Sequence, residues 1–189
     1  MSDRPTVPLR PVLTEVESPE YKAISGWRFD GANAYVSRLL RDDVPRSVQF
    51  QQGQVWIYLD PGGQLVGFGV IDVCDEYDGH TAGLPHPYLR LLAVNPSIQS
   101  RGYGTSIVQH LIGQAVVFVR RGGCAQDVYL AVYKNNERGI GLYKKLGFVT
   151  VGDESSLDPL EGDRPYIVIA RRAALISGVL PLFMPPGLP

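Results

Sequence analysis

An apolar run, Leu89-Arg90-Leu91-Leu92-Ala93-Val94, stops at Asn95-Pro96 and gives way to a helical pattern after Gln99-Ser100-Arg101-Gly102-Tyr103-Gly104-Thr105. Proline cannot donate to a strand ladder, and glycine lets a backbone turn sharply or approach something closely. Downstream, apolar residues at 108, 111, 112, 115, 116 and 119 repeat at helical spacing and mark one buried face. The unit is therefore a strand, a tight turn and a helix lying against a sheet. The first amides of such a helix lack internal partners and point outward, and the helix dipole adds about 0.3–1 kcal/mol of attraction for negative charge. With Gly102 and Gly104 removing Cβ atoms there, the turn suits a pyrophosphate.

Other elements can be read around this unit. Val7 to Thr14 predicts a first strand by its β-branched content, and Gly31 to Gln52 predicts one or two helices interrupted around Pro45. Val55 to Asp60, Pro61-Gly62-Gly63 and Gln64 to Val73 form a hairpin, since a glycine pair suits a tight reversal. Cys74 to Pro87, with Gly79, Gly83, Pro85 and Pro87, predicts a loop before a strand at Tyr88 to Val94. Gly122-Gly123 ends the long helix, and further strands follow at Asp127 to Val132, Phe148 to Val151 and Tyr166 to Ala170.

Composition narrows the function. A chain of 189 residues is one domain's length and can bury roughly 70% of the surface its unfolded form exposes. Cys74 and Cys124 form no disulfide framework and no histidine stands at ligand spacing, so no metal is expected and two free thiols suit a reducing cytosol. A formal net charge of −1 provides no basic field for nucleic acid. No charged-then-apolar leader opens the chain, and the apolar stretch Ala173 to Met184 is broken by Gly178 and Pro181, short of the roughly 20 residues a membrane span needs. A cytoplasmic protein with no membrane partner is expected.

The segment Asn135 to Phe148 carries its own helix signals: Asn at the front, Lys144 and Lys145 in the last turn, and Gly147 at the end. Together with the glycine turn it resembles the cofactor-binding motifs of the GNAT superfamily of N-acetyltransferases. Gln99 to Gly104 matches Gln-x-x-Gly-x-Gly, and Asn136 to Phe148 matches Asn-x-x-Ala-x-x-Leu-Tyr-x-x-x-Gly-Phe, with a departure at Gly139, where Ala is usual. The resemblance runs from about Leu65 to Phe148. It agrees with the element order in implying an α+β fold. This is a single domain over residues 1–170 with a central mixed, mostly antiparallel twisted sheet of about six to seven strands and helices on both faces. Residues 171–189 form an apolar, proline-rich tail, expected to pack on its own domain or on a second copy, which would make a homodimer.

The resemblance implies acetyl-coenzyme A as donor and an amine as acceptor, reacting by direct attack in a ternary complex. Aligned on the family, the backbone of Leu92 and Val94 holds the pantetheine and faces the thioester oxygen. Gln99, Ser100, Arg101, Gly102, Tyr103, Gly104 and Thr105 wrap the pyrophosphate, Arg101 adding a charge-assisted contact and Thr105 a hydroxyl. Asn136 either bonds the pantetheine arm or caps its helix. Gly139 and Gly141 each cost that helix about 1 kcal/mol relative to Ala, which suggests close approach to ligand or sheet. Tyr143 falls beside the sulfur as general acid. Reference pKa values near 10 and 8.5 make full proton transfer to the thiolate uphill by about 2 kcal/mol, so a hydrogen bond to developing charge describes the role better.

The general base is less legible. An alkyl amine of pKa about 10.4 is neutral in roughly one molecule per thousand at neutral pH, so something should take its proton. Several family members carry Glu four positions before the residue aligned with Leu92; here that position is Tyr88. Asp72, Glu76 and His86 are candidates by location near the sheet's open edge, with Glu76 the catalytic choice. Acidic loops at Asp75-Glu76-Tyr77-Asp78 and from Asp153-Glu154 to Asp163 favour a cationic small molecule or peptide amine. The missing Glu at position 88 keeps a non-catalytic acyl-coenzyme A-binding module as the alternative. A dinucleotide fold needs a third glycine where Ile107 stands and a parallel repeat that the Pro61 hairpin contradicts.

Overall fold

The reversal at Pro61-Gly62-Gly63 organises the middle of the sheet. The computed structural model describes residues 7–29, 36–50, 53–74, 84–122, 124–152 and 166–172. Strands β2 (Gln54–Leu59) and β3 (Leu65–Cys74) run antiparallel around that turn, which Asp60 closes by accepting from Gln64 N at 2.9 Å while Gly63 takes φ +83°. The remaining strands are β1 (Arg10–Thr14), β4 (His86–Val94), β5 (Asp127–Tyr133), β6 (Val149–Gly152) and β7 (Tyr166–Arg172). One seven-stranded sheet results, in the order β1-β2-β3-β4-β5-β7-β6, antiparallel throughout except between β4 and β5. This is the mixed, mostly antiparallel α+β architecture expected.

Helices cover both faces. On one, α1 (Pro19–Ser25) and α2 (Val36–Phe50) place Tyr21, Ile24, Leu40 and Val44 over Val55, Ile57, Phe68 and Val70. On the other, α3 (Tyr103–Arg121) buries Ile107, Leu111, Ala115 and Phe118, and α4 (Glu137–Lys145) packs Ile140, Leu142 and Tyr143 against the same core. Two glycines in β3 bring α3 unusually near the sheet: a Cβ on Gly67 would stand 2.5 Å from Ile107 Cδ1 and 3.0 Å from the Ala93 carbonyl oxygen, and one on Gly69 2.6 Å from Leu111 Cδ1. Even one added methyl meets atoms already in place.

Between α3 and β2 the packing includes a short polar chain. The buried Tyr58 hydroxyl lies 2.9 Å from His110 Nδ1, His110 Nε2 lies 3.2 Å from Gln114 Nε2, and the Trp56 ring meets the imidazole edge-on at 4.7 Å. Burial pushes the His110 pKa down to about 4, because desolvation penalises the imidazolium.

Several boundaries differ from the sequence reading, four of them for identifiable reasons. Helix α1 was not anticipated, although Ser18-Pro19 is a start signal: Ser18 Oγ accepts from Tyr21 N at 3.1 Å and Pro19 occupies the first turn. Helix α2 runs through Pro45 unbroken, because burial of Leu40 and Val44 in the turn ahead of it offsets the proline's cost of about 3 kcal/mol. Strand β1 starts at Arg10, which pairs with Leu59 at the end of β2, so residues 7–9 have no ladder partner; Val7 instead accepts from Ser106 Oγ at 2.9 Å. Strand β4 begins at His86 and pairs Pro87 with Val73, shortening the loop before it. The last strand reaches Arg172, and the tail from residue 173 onward lies outside the described residues.

Candidate active site

The parallel neighbours β4 and β5 share a single register pair, Tyr88 opposite Tyr129, so their C-terminal halves part. Near the point of parting, β4 bulges at Arg90: Val70 faces Leu91 while Ile71 faces Leu89. Beyond the bulge the backbone phase can be followed. Asn95 N donates to Val66 O of β3 at 2.9 Å, and the period-two alternation of a strand then aims the N–H and C=O groups of Leu92 and Val94 away from β3, into the gap facing β5. The Val94 carbonyl accepts from Gln99 Nε2 at 3.3 Å, and the other main-chain groups along this cleft are of the kind an extended amide-bearing arm can pair with.

The turn at the end of β4 leads directly to the amino end of α3. Asn95 Oδ1 accepts from Ser97 N at 3.1 Å and Ser97 Oγ at 2.7 Å, fixing the short 3-10 turn Pro96–Ile98. Ser100 then takes φ +70° and Gly102 φ +91°. The first helical bonds run from Thr105 N and Ser106 N to Gly102 O, so the amides of Gly102, Tyr103 and Gly104 precede them, and among the described residues no side chain caps the end. This is a set of convergent donors at the positive end of a 19-residue helix, the geometry that receives a phosphate group. Arg101 is exposed beside it, Thr105 is half-buried, and the Tyr103 ring is buried in the core, leaving only its backbone at the turn.

The two glycines of the turn serve different ends. Gly102 is demanded by its left-handed backbone. At Gly104 a Cβ would stand 3.3 Å from Leu142 Cδ2 and 3.9 Å from Val94 Cγ2, so this glycine lets α3, α4 and β4 meet closely. That packing draws the second motif toward the first.

Within that motif, Asn136 Oδ1 accepts from Gly139 N at 2.9 Å and caps α4. A Cβ on residue 139 would lie 2.7–2.9 Å from the Asn136 side-chain atoms, so the departure from Ala is what lets the carboxamide fold over the helix end. Of the two roles expected for Asn136, capping is the one this geometry contains. Among the described residues, nothing outside its own helix backbone approaches Gly141 within 4 Å on its Cβ side. Tyr143 is half-buried, its ring edge-on to Phe148 at 5.7 Å. Arg138, which the motif reading passed over, donates from Nη1 to Gln99 Oε1 at 2.9 Å and from Nη2 to Ser100 Oγ at 3.1 Å. The signal for it was a cation in the first turn of a helix, where the dipole disfavours one.

On the opposite face of the sheet, beside the parting strands, Asp72 and His86 are fully buried. Arg90 Nε donates to Asp72 Oδ2, and the guanidinium sits 5.2 Å from the centre of the Tyr88 ring. His86 Nε2 lies 3.7 Å from Cys74 Sγ, with the Tyr129 ring at 4.5 Å. Burial raises the pKa of Tyr129, with the nearby Asp127 charge adding to it. Full burial withholds Asp72 and His86 from any amine docking at the surface, which removes two of the three base candidates. The third, Glu76, lies outside the described residues, as do the acidic residues of 75–83 and 153–165.

A strand pair thus opens beside the amino end of a helix, on a mixed sheet with a second helix closing over the turn. Residues 19–148 match the acetyltransferase (GNAT) family, and the chain belongs to it; by class it is an acyltransferase domain. It is 34% identical over 96 residues to the N-alpha-acetyltransferase RimI of Mycobacterium tuberculosis, covering 48% of this chain and 49% of that protein. It is 24% identical over 157 residues to the peptidyl-lysine N-acetyltransferase YjaB of Escherichia coli, covering 82% and 90%. An uncharacterized Mycobacterium leprae protein, ML0378, is 32% identical over 157 residues, covering 82% of this chain and 38% of the relative. The chain thus spans half or less of the length of the two mycobacterial relatives. Among solved structures, the spermidine N-acetyltransferase of Vibrio cholerae in complex with CoA and spermine superposes with a TM-score of 0.61 at 12% identity, covering 87% of this chain and 95% of that one, a likeness of fold. Among the described residues, no helix is long and apolar enough to cross a membrane, and no group of three or more His, Cys, Asp or Glu could hold a metal ion.

Proposed function

We propose that this domain transfers an acetyl group from acetyl-coenzyme A to a primary amine, by direct attack in a ternary complex. The observation that carries the reading is the gap beyond the Tyr88 and Tyr129 pair, opening next to the amides of residues 102–104 that precede the first helical bonds. The donor supplies an activated thioester. The chain's part is to hold and polarise it: the turn from Gln99 to Thr105 receives the diphosphate, and the main chain of Leu92 and Val94 pairs with the arm. An N–H in that gap facing the thioester oxygen is worth about 3–4 kcal/mol when negative charge develops there. Tyr143, on α4 at the same end, donates a hydrogen bond to the sulfur as it leaves.

The acceptor is a cationic small molecule or a peptide amine. Two relatives are named for a protein α-amine and a peptidyl-lysine, and the fold neighbour binds spermine, so each presents a cationic amine. With Tyr88 in place of a carboxylate and Asp72 and His86 buried, proton removal falls to Glu76 or to water. The same absence favours the second reading, a module that binds acyl-coenzyme A without turnover. An amine panel incubated with acetyl-coenzyme A and read by product mass tests donor, activity and acceptor together. Acetylated product in any arm excludes the binding module; calorimetric coenzyme binding with no product and no thiol release overturns the transferase.

A further inference from the structure

We propose that Arg138 is the positioning residue that shapes the diphosphate turn, acting through Gln99 and Ser100; this rests on the coenzyme reading above. Arg138 is exposed and stands in the first turn of α4, where the helix dipole disfavours a cation, so it does not serve the helix that carries it. It serves the turn. Its two terminal nitrogens reach across 39 and 38 residues of sequence to Gln99 Oε1 and Ser100 Oγ, at 2.9 and 3.1 Å. A guanidinium engages two acceptors at once in a planar fork, whereas an ammonium is a single point charge.

The far end of Gln99 continues the chain of bonds, since its Nε2 donates to the Val94 carbonyl at 3.3 Å. The head of α4, the turn and the end of β4 are thus linked through one arginine and one glutamine. Between the linked residues and Gly102, Ser100 holds φ +70°, a conformation uncommon for a residue with a side chain that persists where surroundings over-determine it. Without Arg138, Ser100 is free to relax to an ordinary backbone angle, and the amides of residues 102–104 lose their common aim. Arg138 itself touches the turn and not the strand gap, so the part of the ligand affected first is the diphosphate.

The test compares two donors on the full chain: acetyl-coenzyme A and S-acetylpantetheine, which has the same thioester and no diphosphate. Arg138→Gln is expected to raise the KM for acetyl-coenzyme A about tenfold, the scale of one charge-assisted hydrogen bond, with kcat within about twofold and the KM for S-acetylpantetheine unchanged. Arg138→Lys should recover little of the loss. A Gln99→Ala/Ser100→Ala double variant removes both acceptors of Arg138, so adding Arg138→Gln to it should bring no further loss. An unchanged KM for acetyl-coenzyme A, or an equal rise for both donors, overturns the proposal. Should Arg138→Gln fail to fold, Arg138→Lys carries the same comparison, with a raised KM for acetyl-coenzyme A alone as the expected result. If the unmodified chain shows no heat of binding with coenzyme A, the coenzyme reading itself fails and takes this inference with it.

Discussion

Acidification should destabilise this fold through His110 by an amount that can be worked out from its surroundings. In the folded chain the imidazole is wedged between Trp56, the Tyr58 hydroxyl and Gln114, and burial holds its pKa at about 4. In the unfolded chain a histidine titrates near 6.5. Between those values the unfolded state binds the extra proton, so stability rises with pH across the window. The contribution is complete above about pH 6.5 and is lost as pH falls toward 4. At 1.36 kcal/mol per pH unit, the loss is about 2 kcal/mol at pH 5 and about 3 kcal/mol at pH 4. Urea unfolding monitored by circular dichroism reads this as a fall in midpoint of about 1 M at pH 5, taking a slope of about 2 kcal/mol per M. Other groups also titrate, so the decisive quantity is the difference between the unmodified chain and His110→Gln. The variant should be less stable at pH 7.5, because the buried Tyr58 hydroxyl loses its partner, and the gap should narrow by about 2 kcal/mol on going to pH 5. A gap that stays constant would show that the imidazole takes up its proton as readily in the folded chain as in the unfolded one and would refute the reasoning.

Four further outcomes follow from the geometry. Tyr143→Phe should lower kcat about 100-fold while calorimetry finds coenzyme binding unchanged; undiminished turnover removes the phenol from the chemistry. Gly67→Ala should cost about 2 kcal/mol in urea unfolding, because the added methyl meets the Ala93 carbonyl as well as Ile107, and a neutral result would mean α3 can lift off the sheet without loss. Gly141→Ala should stabilise by about 0.5–1 kcal/mol, since nothing stands where its Cβ would go. Gly139→Ala should come out near neutral, the helical gain cancelled by displacement of the Asn136 cap. Equal gains at 139 and 141 in thermal unfolding would contradict that cancellation.

The parts of this fold legible in the sequence are those whose residues act locally. The glycine pair at 62 and 63, the Asn at 136 and Gly147 each decide their own backbone, and each stands where it was read. Helix α2 was harder, because Pro45 argues for a break and only the burial of Leu40 and Val44, a tertiary effect, overrides it. The same division holds at the candidate site. The amides at 102–104 follow from two glycines and a helix pattern. The role of Gly104 as a contact for Leu142, the Asp72 to Arg90 pair and the reach of Arg138 to Gln99 depend on partners 18 to 39 residues away, which no spacing rule brings together. His86 and Asp72 were placed near the open edge on their sequence positions alone; the pleat that turns them inward is a property of the register between β3 and β4.

The glycines at 67 and 69 have a consequence for how the protein can respond to a ligand. They lie about 6.8 Å apart along β3, and the residues that settle over them, Ile107 and Leu111, are about 6 Å apart along α3, so teeth and notches share nearly one pitch. A helix meshed in this way cannot creep along its strand by an ångström or two, because any intermediate offset drives a methyl group into main chain. Its amino end is indexed to the sheet. Whatever adjustment the arrival of a ligand requires must therefore come from the few residues leading into the helix, with the helix itself acting as a fixed datum.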